Sequence, residues 1–92
     1  MKKAIYKVPN GKLLKVFLED FGGKIVSIKI TGDFFMHPEE NIENLENALK
    51  DCELKPEAIA SRIEDALHEK PTTFFGLDTE SLVKTILTAA QT

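Results

Sequence analysis

Residues 24–40 read KIVSIKITGDFFMHPEE, and how this run divides into strand, turn and helix decides how the rest of the chain is arranged. Val26, Ile28 and Ile30 alternate with Ser27 and Lys29, the period of two that buries one side of a pleated strand and leaves the other to water or a partner. Gly32 and Asp33 break the pattern. Glycine accepts positive φ and an aspartate side chain can bond forward to its own backbone, so the pair predicts a turn at the strand's exit. Pro38, Glu39 and Glu40 predict a helix start, with proline at the first helical position and carboxylates at the positive end of the helix dipole. Phe34, Phe35 and Met36 are expected in a loop with His37 between turn and helix. Neighbours on an extended backbone point to opposite sides, so one of Phe34 and Phe35 is expected to staple sheet to helix and the other to reach the surface or an interface.

Upstream, Ala4, Tyr6 and Val8 alternate with Ile5 and Lys7, and Asn10-Gly11 is the pair that best accepts the angles of a tight hairpin. Leu14, Val16 and Leu18 continue beyond that turn, while Leu13 and Phe17 put apolar groups on the nominally polar face. Residues 20–23, DFGG, make the next turn, so three consecutive strands are expected to form an antiparallel meander. Lys12, just past the first turn, is either solvated or a charge-assisted contact to a partner. Downstream, Ile42, Leu45, Ala48 and Leu49 follow helical spacing to a stop near Asp51, and Ile59, Ile63 and Leu67 mark a second helix opening at Pro56 and ending before Pro71. Residues 72–77, TTFFGL, favour an extended run. Asp78 then suits the N-cap of a third helix with Leu82, Val83, Ile86, Leu87 and Ala90 inward. The expectation is one α+β domain over residues 1–92, a three-stranded antiparallel N-terminal sheet covered by about three helices.

Composition narrows the function classes. With 42% apolar and 29% charged residues the chain reads as an ordinary globular domain. No apolar run approaches the ~20 residues of a membrane span, and no signal-peptide pattern follows Met1, so the reading is cytoplasmic with no membrane partner. Cys52 is the single cysteine, which excludes an internal disulfide and a cysteine-built metal cluster. His37 and His68 fall in different elements and suggest no metal site. Gly22-Gly23 lies between strands rather than before a helix, where amides could cradle a phosphate. The glutamates near residue 40 are explained by the helix dipole and by solvation. No catalytic constellation emerges. Charge is unevenly spread: residues 1–30 hold seven lysines against two acids, a net of +5, and residues 31–92 hold five basic residues against thirteen acids, a net of −8. Such a division can steer a charged partner to one face, although strand lysines also serve solubility and edge protection.

The I-x-I-x-GDFF run from Ile28 to Phe35, the Pro-Glu pair after it, and VPNGKLLKV from Val8 to Val16 resemble the C-terminal accessory domain of bacterial and archaeal lipoate-protein ligases. The resemblance covers nearly the whole chain. In that family a separate domain holds the lipoate and ATP site, with an arginine pair followed by a glycine triplet and a catalytic lysine. It activates lipoate to lipoyl-adenylate and transfers it to a lysine of a lipoyl domain. Here there is one arginine, Arg62, and no glycine triplet. The resemblance therefore implies a non-catalytic accessory subunit that docks on a catalytic subunit and permits adenylation. ATP, Mg and lipoate would be met only through that subunit, with no cofactor bound by this chain alone. Lipoyl-domain acceptor proteins would be indirect partners, and nucleic acid would not be one. Lys12, Gly32, Asp33, Phe34 and Phe35 are the candidate interface residues. Two alternatives stand beside this one: a sulfur-transfer or iron-sulfur assembly protein of similar fold, and a non-enzymatic protein-interaction module. The first needs a reactive thiolate, which the acids Asp51 and Glu53 beside Cys52 would disfavour.

Overall fold

In a computed structural model, which describes residues 2–8, 12–69, 73–75 and 78–92, the N-terminal meander forms as the alternation requires. Strands β1 (Lys2–Val8), β2 (Lys12–Phe21) and β3 (Lys24–Gly32) pair antiparallel in the order β1-β2-β3. The expected turn at Pro9-Asn10-Gly11 lies outside the described residues, but Val8 faces Lys12 across it. Between β2 and β3, Gly22 and Gly23 both have positive φ, +61° and +76°, the backbone that a two-residue hairpin turn needs to match the strand twist. Register then sorts side chains by face. Ala4, Val16 and Ile30 share one row and are all buried. Lys3, Phe17 and Lys29 share the next row, on the opposite face.

The predicted alternation of β3 holds for Ile28 and Ile30 but not for Val26. A bulge between Glu19 and Asp20 pairs Glu19 with Ser27 and Asp20 with Ile25, leaving Val26 without a partner in β2. One extra residue reverses the in-out phase of a strand. Ile25 is therefore fully buried and Val26 is half exposed. Ile25 also anchors the link between the first two helices: its amide donates to the Cys52 carbonyl at 2.9 Å and its carbonyl accepts from Asp51 at 2.7 Å. Asp51 supports this from the left-handed region, φ +64°.

Three helices cover the inner face of the sheet: α1 (Asn41–Ala48), α2 (Pro56–Glu69) and α3 (Thr79–Ala90). α3 lies across β1 and β2, α1 against β3, and α2 bridges α1 and α3. Leu45, Leu49, Ile59, Ile63, Leu82 and Ile86 meet Leu14, Val16 and Leu18 in one core. Asp78 caps α3 as its sequence position suggests, accepting from the Ser81 amide at 2.7 Å and from the Ser81 hydroxyl at 3.0 Å. Ala90, expected inward, is half-buried, and Ala89 beside it is fully buried.

Two further expectations are corrected. The first helix starts at Asn41 rather than Pro38, because residues 38–40 form a tight turn in which the Asn41 amide donates to Pro38 and the Ile42 amide to Glu39, both at 3.1 Å. The His37–Pro38 peptide is cis. The stretch taken for a loop around Phe35 is a short strand, β4 (Phe35–His37), paired antiparallel with β5 (Thr73–Phe75) as a second, two-stranded sheet. The proposed helix stop at Pro71, with Thr72, Gly76 and Leu77 of the extended run, lies outside the described residues.

Candidate functional site

Where β3 leaves the sheet, the GDFF segment is held by geometry that only its first residue allows. Gly32 faces Leu14 at φ +148°, and a Cβ there would run into the carbonyl oxygen of Leu13. With no side chain in the way, that carbonyl accepts the Asp33 amide at 2.9 Å. The Asp33 carboxylate is exposed and bonds to no described residue, so its backbone, and not the forward side-chain bond expected of it, makes the exit. Lys12 directly precedes Leu13 and is half-buried at the start of β2. The structure thus gathers Lys12, Gly32 and Asp33 at one end of the sheet.

The two phenylalanines part there. Phe34 is 8% exposed and belongs to the core, whereas Phe35 is 66% exposed. Met36 turns inward again, and the in-out-in order is that of an extended chain. Pairing of Phe35 with Phe75 across β4 and β5 fixes the backbone beneath the outward ring. An exposed aromatic on a tethered backbone loses little freedom when a partner covers it, which suits it as an anchor.

The outer face of the sheet is the larger feature that strand reading alone did not assemble. Lys3, Ile5 and Lys7 of β1, Lys15 and Phe17 of β2 and Lys29 of β3 all project there, and Ile5 is 54% exposed. No described helix packs on this face. Among the described residues ion pairs form at Lys2–Asp20, 3.0 Å, and Lys55–Glu53, 3.3 Å, and none of these outer lysines is engaged. The free edge of β3, by contrast, is closed from within. The Ile30 amide donates to Glu46 Oε2 at 2.7 Å, and the start of the strand bonds to the link between α1 and α2. A second large apolar group, Phe21, is 83% exposed at the far hairpin.

Cys52 offers no reactive thiol. It is 1% exposed and its Sγ–H donates to the Glu53 carbonyl at 3.3 Å. Burial pushes its pKa up, Arg62 opposes that, and the Glu53 charge adds to it. Arg62 is itself committed to the end of α1, donating from Nη1 to the Ala48 and Lys50 carbonyls at 2.9 and 3.1 Å. Among the described residues no group of three or more His, Cys, Asp or Glu side chains could hold a metal ion, and no helix is long and apolar enough to cross a membrane.

Comparison with known proteins adds a family to this geometry. Residues 6–86 match the family described as bacterial lipoate protein ligase C-terminus. A segment of 45 residues is 44% identical to lipoate-protein ligase A subunit 2 of Thermoplasma acidophilum, and the match spans 49% of this chain and 47% of that relative. The chain thus matches about half the length of that curated relative. A solved structure superposes with a TM-score of 0.80 and 30% identity over 94% of both chains. It comes from an archaeal lipoylation system of the same organism, described as a bi-partite lipoate protein ligase and its E2 lipoyl domain.

Proposed function

Because this chain belongs to the bacterial lipoate protein ligase C-terminal family, we propose that it is the accessory subunit of a two-part lipoate-protein ligase, acting in the cytoplasm. In this reading it docks on a separate catalytic subunit and enables ATP-dependent conversion of lipoate to lipoyl-adenylate, from which lipoyl-domain acceptors are modified. ATP, Mg and lipoate are bound by the catalytic subunit. The observation that carries the reading is the fold match along nearly the full length to a chain of the structure described as a bi-partite lipoate protein ligase and its E2 lipoyl domain, taken with the family match over residues 6–86. The exposed Phe35, held on a paired strand two residues beyond Asp33, supports docking through this end of the sheet. Sulfur transfer is the weaker alternative, since a buried thiol with a raised pKa is the opposite of what thiolate chemistry requires.

An accessory subunit can favour an active conformation only through contacts that differ between the active and inactive states. Binding to the catalytic subunit must therefore be measurable, while binding of substrates to this chain alone is not needed. Calorimetric titration into the catalytic subunit from the same organism should give a saturable heat at a fixed stoichiometry. ATP or lipoate titrated into this chain alone should give none. A submicromolar ATP or lipoate site on the isolated chain would overturn the assignment.

A further inference from the structure

Resting on the accessory-subunit reading, we propose that the catalytic subunit covers the outer face of the sheet, meeting Lys3, Lys7, Lys15 and Lys29 with carboxylates and Ile5 and Phe17 with apolar side chains. Size comes first. A stable interface takes about 800 Å² from each partner, and one aromatic ring supplies only about 150 to 250 Å². Phe35 therefore needs an adjoining surface. Its segment hangs from the Leu13 carbonyl, and Leu13 itself lies on the outer face, opposite Lys7, so the docking end and the face are continuous.

Charge and edges identify the occupant. The face carries four lysines with no anionic partner among the described residues against one acid, Glu19, and Lys15 stands on the central strand between Leu13 and Phe17. The groove between α2 and α3 carries Glu57, Glu64 and Glu80 against the single cation Lys84, so its net charge is opposite to that of the outer face. Strand addition at β3 is blocked by Glu46 and the link after α1, so a partner meets this side of the sheet through side chains on its face. Nucleic acid fits less well, since the chain is net acidic at −3 and the lysines are interleaved with aliphatic side chains.

The test is differential amine labelling. The free chain and the complex with the catalytic subunit, isolated by gel filtration, are treated with an acylating reagent and each lysine is quantified by peptide mass spectrometry. Labelling of Lys3, Lys7, Lys15 and Lys29 should fall to a small fraction of its free-chain value. The exposed Lys50 and Lys55 on the helical side should be unchanged. In parallel, Lys15→Glu and Lys29→Glu should each weaken binding about tenfold or more, with far-UV spectrum and Tm retained, while Lys50→Glu binds normally. Protection of Lys50 and Lys55 instead, or equal labelling in an intact complex, overturns the assignment of this face but leaves the accessory role standing. Protection of the outer lysines in the free chain at rising concentration would make the face a self-association surface and also overturn it. If no complex forms, the accessory reading falls and this assignment falls with it.

Discussion

Phe34 and Phe35 are adjacent in sequence, and the difference between them is one of direction. Phe34 fills the core and Phe35 stands in solvent, so their truncations should separate stability from binding. Phe34→Ala is expected to cost about 3 to 5 kcal/mol and to lower Tm by well over 10 °C, at roughly 4 to 8 °C per kcal/mol for a domain of this size. Phe35→Ala should shift stability by less than about 0.5 kcal/mol while weakening association with the catalytic subunit by about 2 kcal/mol, near thirtyfold. Thermal melts and calorimetry on the two variants check this, and early melting of both would reduce the segment to a structural staple. Cys52 gives a second prediction. Its thiol is held protonated by burial above an ordinary pKa of 9.0. Its contribution to stability is therefore complete below that value and is lost as pH rises through the raised folded pKa, because the unfolded chain gives up its proton first. Alkylation at pH 8 should be far slower in the native chain than in urea, and Cys52→Ser should leave binding intact. Equal alkylation rates would revive the sulfur-relay alternative.

At the scale of elements, what was legible in the sequence is what nearest neighbours determine. The alternation of β1 and β2, the Gly22-Gly23 turn, the Asp78 cap and the helical spacing of Ile59 and Ile63 each depend on residues a few positions apart. The bulge in β3 does not. Nothing in KIVSIKI distinguishes Val26 from Ile25 as the buried residue until the pairing of Asp20 with Ile25 is known. The β4–β5 pair is illegible for the same reason, because the partners Phe35 and Phe75 are far apart in the chain. Likewise Arg62, read only as the single arginine, closes the end of α1 from a different helix. A mutational contrast measures the bulge directly. Ile25→Ala should cost about 2 to 5 kcal/mol, and Val26→Thr should lie within about 0.5 kcal/mol of the parent. Unbroken alternation requires the reverse order, and urea midpoints decide between them.

For the molecule as a whole, division of labour between faces follows from where charge and apolar surface are placed. The inner face of the sheet is closed by α1 and α3, and the β3 edge is closed by Glu46. The outer face keeps Lys3, Lys7, Lys29 and Ile5 in solvent and Lys15 half-buried among them. The candidate residues Lys12, Gly32, Asp33, Phe34 and Phe35 could be named from the sequence because turn chemistry and side-chain alternation single them out, but which phenylalanine faces outward could not. The basic face could not be assembled that way, since its lysines come from three strands and are brought together only by register. The proposed contribution to lipoylation is made through binding. The direct measurement is lipoate-dependent exchange of pyrophosphate into ATP by the catalytic subunit, with and without one equivalent of this chain. Exchange should be low for either component alone, rise to a plateau at a fixed stoichiometry, and fall in parallel with affinity for Phe35→Ala. A catalytic subunit that exchanges pyrophosphate equally well without this chain would contradict the accessory role.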